Sequence, residues 1–435
     1  MGESLKRRHL SNWTAASFVI ASMIGTGVFT SLGYQLVDIQ SIFPLIMLWI
    51  IGGIIALCGT LTYSELATSY PRSGGEYHLL TVIMHPSIGF AAGIVSSTVG
   101  FAAPSVLAAM ALGNYLSTVI PSFDPIVIAL VTIIGIHFLH MKSIRWGIIF
   151  QDGFTLIKIG LILIFIIFGI FIDSPEQISI VPKQGDFAII LSPEFAISLV
   201  WVSYAYTGWN SVVYIAGEIK KPQINIPKSM ILATMFVTAL YLLLNYIFLY
   251  AASIESMVGR VEIGYIAGLK IFGDVGAKII SLGISILLLS TISSYVYIGP
   301  RIMQAMGEDH KSLQILKSKS NNGIPNNAFL IQLIISILFI LTSTFEQVLM
   351  YAGISLIVTT IFTVLALFIL RFSEPNLTRP YTVPGFPITP ILYLLINSWI
   401  LYYSFQKSFL ESLVGCGIFL FGVILYYTLI ILKKG

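Results

Sequence analysis

Two apolar stretches carry glycine where a membrane helix should be most regular: Met23-Ile24-Gly25-Thr26-Gly27-Val28-Phe29 and Tyr204-Ala205-Tyr206-Thr207-Gly208-Trp209-Asn210. Each sits midway along a run long enough to cross a bilayer, which takes about 20 residues for a ~30 Å hydrocarbon core. A helix that unwinds there bares amides and carbonyls, at a cost of roughly several kcal/mol each unless they are satisfied. A zwitterionic solute satisfies both, giving a carboxylate to the amides and an ammonium to the carbonyls. The paired breaks point to a site for a small dipolar solute in the middle of the membrane.

The rest of the chain agrees with a membrane setting. Hydrophobic residues make up 57% of it and charged residues 10%, whereas soluble domains carry about 25% charge. Apolar runs between polar punctuation give twelve candidate spans: 11–33, 42–68, 88–119, 124–141, 147–172, 193–216, 228–252, 275–304, 327–343, 346–371, 388–406 and 411–432. The first follows Lys6-Arg7-Arg8 but is full-length and has no small-residue cleavage site, so it reads as a span and not as a signal peptide. Alternate loops hold 17 lysines and arginines on one side, against five (Lys183, Arg260, Lys270, Lys278 and Lys407) on the other. That bias places both termini in the cytoplasm of a multi-pass cell-membrane protein. The expected fold is therefore all-α and polytopic, a single transmembrane domain over 1–435. The breaks fall in spans 1 and 6, so 11–172 and 193–371 enter from opposite sides as an inverted repeat, with 388–432 adding two helices.

Several chemistries lack their parts. Cys58 and Cys416 both lie in apolar runs, so no redox pair, metal set or structural disulfide is expected. His137 and His140 have helical i, i+3 spacing but no third ligand. No His-Glu-x-x-His run occurs, and no aspartates face each other across adjacent spans, which argues against an intramembrane hydrolase. The net charge of +4 resides in the loops and does not imply a nucleic-acid partner. No cofactor, metal or catalytic residue is expected.

At this point particular runs become recognisable. Ile24-Gly25-Thr26-Gly27-Val28-Phe29 resembles the first-helix glycine motif of the amino acid–polyamine–organocation (APC) superfamily. Tyr63-Ser64-Glu65-Leu66-Ala67 with Tyr70-Pro71-Arg72-Ser73-Gly74-Gly75-Glu76-Tyr77 is similar to that group's segment after helix 2. Glu218-Ile219-Lys220-Lys221-Pro222 with Asn225-Ile226-Pro227 resembles its loop after helix 6, and Arg379-Pro380-Tyr381 with Val383-Pro384-Gly385 its link after helix 10. The four occur in family order, and the second, with the aromatic run at 204–209, is most similar to the L-type amino acid transporter branch and its bacterial relatives. The resemblance implies the LeuT-type fold, a 5+5 inverted repeat with discontinuous helices 1 and 6 plus two further helices.

The candidate substrate site follows from the breaks. Amides of Thr26 and Gly27, with the Thr26 hydroxyl, would take the carboxylate at the positive end of a half-helix. Carbonyls of Met23 and Ile24, beside Gly25, and carbonyls near Tyr204, Ala205 and Thr207 would face the ammonium. By resemblance, Tyr204 is an aromatic gate, and Gly208 and Trp209 line the pocket. Thr207 stands where the L-type pattern has glycine, which favours a smaller side chain. Close helix packing at Gly-x-Gly and ordinary aromatic packing are the competing readings.

Lys158 stands alone in the apolar run of span 5, some twelve residues in, where a lysine costs roughly 3 kcal/mol on insertion scales. Snorkelling is the competing use. By resemblance it replaces a sodium ion held between helices 1, 5 and 8, meeting the helix 1 break and hydroxyls such as Ser290, Ser293 or Ser294. Sodium-independent transport is expected, with protons as an open coupling ion. Asp152 reads as a helix-start residue with a proton relay as the competing use, Glu65 and Arg72 as a solvated flank of span 2 with gate pairing as the other reading, and Ser96, Ser97 and Gly100 as backbone-bonded groups or pocket lining.

No convincing mid-membrane carboxylate lines spans 1, 3, 6, 8 or 10, which favours a neutral L-amino acid of small or medium size. A cationic amino acid or amine antiporter is the runner-up, because aromatic faces also hold cations. A non-transporting membrane sensor is the alternative of another class. The segment Ser117-Thr118-Val119-Ile120-Pro121-Ser122-Phe123-Asp124 contains no cysteine, so no disulfide-linked heavy chain is expected. Short tails suggest a stand-alone prokaryotic protein. The sequons at Asn12 and Asn376 fall on the expected cytoplasmic side, where they stay unglycosylated.

Overall fold

A computed structural model describes residues 10–142, 145–318 and 324–431, with the side chains of 145–153 and Ile430 left aside. Lys6-Arg7-Arg8, Lys433-Lys434 and the side chain of Asp152 lie outside that description. Helices account for nearly all of it: α1 (Asn12–Met23), α2 (Gly27–Asp38), α3 (Ile42–Ser69), α4 (Gly75–Ile83), α5 (Pro86–Val95), α6 (Ala102–Ser117), α7 (Pro125–Lys142), α8 (Arg145–Ile170) and α9 (Asp186–Ile190). There follow α10 (Pro193–Tyr206), α11 (Pro222–Ala251), α12 (Ile254–Met257), α13 (Ile263–Asp309), α14 (Gln314–Lys317), α15 (Asn326–Thr342), α16 (Phe345–Ser373), α17 (Ile388–Lys407) and α18 (Phe409–Ile431). Among the described residues no strand forms; a lone bridge joins Leu10 to Ile219.

Counting α1–α2 and α5–α6 each as one, nine helices are long and apolar enough to cross a membrane among the described residues. Phe154–Ile170 of α8 and Asn326–Thr342 are apolar but shorter. The run from Pro193 falls short because α10 stops at Tyr206. Outward-facing positions are apolar as well: Ile167 and Phe168 on α8, Leu338 and Leu341 on α15, and Leu395 on α17 are exposed. In water such a surface would drive aggregation; in lipid it is the solvated face.

Local chemistry sets the helix ends. Ser11 caps α1 by accepting from the Thr14 amide (3.1 Å). Ser192 caps α10 from the Phe195 amide (3.3 Å), with proline at the first turn. Thr344 and Gln347 form a reciprocal capping box at the start of α16, which satisfies two amides that helix geometry leaves open. The run read as 275–304 is longer in the structure: α13 begins at Ile263 and turns at Gly273, whose φ of 70° is left-handed. A side chain at Gly273 would be strained, so glycine lets a preceding helix join the span.

Glu65 sits on α3 with no exposed surface, not on the solvated flank expected from the sequence. Its carboxylate takes a forked pair of bonds from Arg371 at the end of α16 (2.9 and 2.6 Å) and one from the Val383 amide (2.7 Å). Arg379 adds a second cation at 3.4 Å and ties the chain after α16 by donating to carbonyls of Leu370, Glu374 and Leu377. Two of the runs that carry the resemblance, around Glu65 and around 379–385, are thus the two halves of one clamp. Arg72 takes no part in it. Replacing Glu65 with alanine takes the carboxylate from two part-buried guanidinium groups and should cost about 1–3 kcal/mol. Thermal unfolding in detergent checks this; a loss within about 0.5 kcal/mol would mean that the clamp carries no stability.

Candidate functional site

α1 ends at Met23 and α2 begins at Gly27, so 24–26 is unwound. α10 ends at Tyr206, 207–210 is a turn, and a 3-10 segment runs from Ser211 to Glu218. The two breaks meet backbone to backbone. A methyl on Gly27 would stand 2.5 Å from Ala205 Cα, and one on Gly208 would stand 2.6 Å from the Ser22 carbonyl carbon. Gly208 also has φ +103°, a conformation that side chains rarely adopt. Each break therefore needs its own glycine so that the other helix can approach.

Tyr241, in the middle of α11, ties the two together. Its hydroxyl is 2.6 Å from the Met23 carbonyl and 3.2 Å from the Ala205 carbonyl. Trp49 packs edge-on against its ring, and Tyr206, donating to the Trp49 carbonyl (3.0 Å), completes an aromatic cluster. Sequence reasoning missed Tyr241. The signal was a phenol in a membrane helix, which must find an acceptor when buried.

These bonds change the roles expected of the carbonyls. Met23 and Ala205 already accept from Tyr241, and Tyr204 accepts from both the amide (2.9 Å) and the hydroxyl (2.7 Å) of Thr207. An ammonium reaching them must displace an internal donor. The amides are different: Gly27 opens α2, and helix geometry leaves the first amides of α2 without carbonyls of an earlier turn. Thr26 is buried beside the Tyr204 hydroxyl. Its own carbonyl accepts from the Phe29 amide and the Thr30 hydroxyl, both at 3.0 Å.

Six of the predicted residues line two cavities, and Met23, Thr26, Gly27, Ala205, Gly208 and the three predicted serines of α13 line neither. Tyr204, Thr207 and Trp209 face one of about 40 Å³, shared with α3, α16 and α17. Trp209 stands edge-on to Tyr63 with ring centroids 4.7 Å apart and fills the space that Gly59 leaves on α3. Ile24, Gly25 and Lys158 face a second cavity of about 10 Å³ with Ile284, Leu287, Leu288 and Thr291 of α13. A water needs about 10–15 Å³, so the first has room for a few waters and the second for about one, and neither has room for a larger solute.

Lys158 is buried and its Nζ donates to Thr291 Oγ1 at 3.0 Å. Thr291 in turn lies under Gly25: a methyl there would be 3.9 Å from its Cγ2. The ammonium thus reaches the first break through a threonine that the sequence reading passed over. Ser293 pairs instead with His140 Nε2 (2.8 Å), and Ser294 bonds back to the Ser290 carbonyl (3.0 Å). Thr291 was findable, because 284, 287, 288 and 291 share one helix face and it is the polar residue among them.

Beyond the second break, the run from Ser73 to Glu76 is laid against the 3-10 segment. The Gly74 amide donates to the Tyr214 carbonyl (3.2 Å), and the Gly217 amide to Ser73 Oγ (3.1 Å). Glu76 is buried and accepts from Asn210 and Tyr214. Ser96 opens a π-helical turn, Ser96–Gly100, and stands 3.4 Å from the Tyr214 hydroxyl, while Ser97 bonds to the Gly93 carbonyl (2.7 Å).

Comparison with known proteins fits this geometry. The family model described as "Amino acid permease" matches residues 10–432. The chain is 26% identical to the large neutral amino acids transporter small subunit 2 of Mus musculus, over 95% of this chain and 79% of that protein. It is 27% identical to the serine/threonine exchanger SteT of Bacillus subtilis (strain 168), over 93% and 92% respectively. With the b(0,+)-type amino acid transporter 1 of Mus musculus it shares 23% identity over 96% and 86%.

The two first-break glycines should respond differently to a methyl. Gly27→Ala forces the helices apart and should cost about 1–3 kcal/mol, whereas Gly25→Ala meets ordinary contact distances and should melt near the parent. Equal melting temperatures for the two variants would contradict the backbone contact.

Proposed function

We propose that this chain, which belongs to the amino acid permease family, is a sodium-independent secondary transporter of L-amino acids of small or medium neutral type, working by alternating access. The observation that carries the reading is the meeting of two unwound segments, glycine against backbone, with the opening amides of α2 beside them. A carboxylate fits those amides. An ammonium competes with Tyr241 for the carbonyls of Met23 and Ala205, so the same groups close the empty site and bind the solute.

In this reading the fold is the LeuT type: twelve spans, with 11–172 and 193–371 as inverted repeats and 388–432 outside them. Both termini lie in the cytoplasm of the cell membrane, as the lysine and arginine bias supports. Lys158, anchored on Thr291, supplies a fixed positive charge where related folds hold sodium. Exchange is the favoured mode, because a relative matched over nearly its whole length is named as an exchanger. No heavy chain is required, since Cys58 and Cys416 both lie within helices, α3 and α18.

Uptake into proteoliposomes tests this. Labelled serine, threonine or alanine should enter faster when the lumen is preloaded with unlabelled amino acid, and replacing sodium with an organic cation should leave the rate unchanged. Lys158→Ala should lower uptake at least tenfold, about 1.4 kcal/mol in the rate-limiting step. Undiminished uptake by that variant would remove the lysine from the mechanism, and wild-type binding without flux would favour a sensor.

A further inference from the structure

Glu76 has no role in the site as described, yet it is buried at the first turn of α4, which precedes the membrane run of α5. Oε1 accepts from Asn210 Nδ2 and Oε2 from the Tyr214 hydroxyl. Asn210 ends the unwound stretch and Tyr214 lies on the 3-10 segment that follows. The groups that face the carboxylate are phenols: Tyr63 from α3, Tyr214, and Tyr393 from α17. Among the described residues no cation pairs with it. On its own helix, Tyr77 donates to Asp309 and His78 feels Arg72, so neither neutralises Glu76.

A carboxylate accepts from both partners at once. A neutral carboxylic acid carries its own hydrogen, so one of the two incoming donors must turn away or reverse. Tyr214 can reverse, because Ser96 Oγ lies 3.4 Å from its hydroxyl and can take the hydrogen that Glu76 no longer accepts. Asn210 would then be the sole donor joining the carboxyl of α4 to the end of the second break.

We propose that Glu76 is a positioning residue and a proton-binding latch: ionised, it holds α4 against the second break and keeps this end shut, and on taking a proton from water it lets 210–214 swing away. The ligand is the proton itself, and the bonds exchanged are the two that the carboxylate accepts. The directional part, that this end opens toward the cytoplasm, rests on the transport reading above. Burial pushes the Glu76 carboxyl up from the ordinary carboxylate range, and the donors from Tyr214 and Asn210 oppose that rise. The latch is therefore engaged above the raised value and lost as pH falls through it.

A thiol-accessibility experiment reads the latch without needing flux. The full chain, with Cys58 and Cys416 replaced by serine and the buried Val213 by cysteine, is placed in liposomes and treated with a membrane-impermeant maleimide. Rates are taken as the ratio of Glu76→Gln to Glu76 on this background, so that thiol ionisation divides out. The ratio should be several-fold at alkaline pH and approach one as pH falls through the raised value, below which Glu76 itself is neutral. Tyr214→Phe removes a donor to the carboxylate and should move that fall to higher pH. A ratio near one throughout, or one above unity that ignores pH, overturns the proposal. If Glu76→Gln does not insert, Tyr214→Phe against the parent decides, and an unmoved pH dependence overturns it. A Glu76 chain on this background that labels as expected, beside a wild-type chain that moves no amino acid, would sink the transport reading and leave the latch standing.

Discussion

Two backbones touch in the middle of this protein, and at each contact one of the partners carries no side chain. Gly27 admits Ala205, and Gly208 admits the end of α1. In hydrocarbon, bared peptide groups must find partners within the protein, and the contact is close enough for one phenol, Tyr241, to serve carbonyls from both segments. The arrangement has little slack: removing either glycine's freedom separates the segments, and separated segments leave their polar groups in an apolar medium.

Around this contact the runs that made the sequence recognisable dock on one another. Glu65 gathers Arg371, Arg379 and the Val383 amide, which fixes the end of α3 to the chain between α16 and α17. The 73–76 run covers the 3-10 segment after the second break. The Leu10 amide donates to the Glu218 carbonyl and the Lys220 amide to the Leu10 carbonyl, so the residue ahead of α1 meets the loop that follows the same segment. Some of these polar runs build a frame around a buried carboxylate; the others rest on the segment after the second break. The same short polar vocabulary serves both, and burial separates the uses.

The interruptions and the buried lysine were legible because each violates a local rule: glycine in mid-span, charge in an apolar run. Such violations need no knowledge of what lies opposite. The partners of Tyr241, Lys158 and Glu65 were not legible, since each contact spans 36 or more positions, which no periodicity encodes. Lys158 illustrates the boundary. Its burial followed from position alone, but the choice between Thr291 and the adjacent serines depends on helix rotation by a fraction of a turn. Glu65 shows the opposite error, where a charged residue near a span end looked solvated until two arginines from a distant stretch closed over it. Glu76 was quoted within its motif yet assigned nothing, because its donors, Asn210 and Tyr214, lie more than a hundred residues on.

A phenol has one hydrogen, and Tyr241 stands between two oxygens at unequal range, 2.6 Å and 3.2 Å. When the segments part, that hydrogen can stay with only one of them, and the shorter contact names Met23. α11 would then stay yoked to α1 and release α10. A rocking body of that kind would include two helices that no neighbouring stretch of sequence joins, with the fracture plane passing between Tyr241 and Ala205.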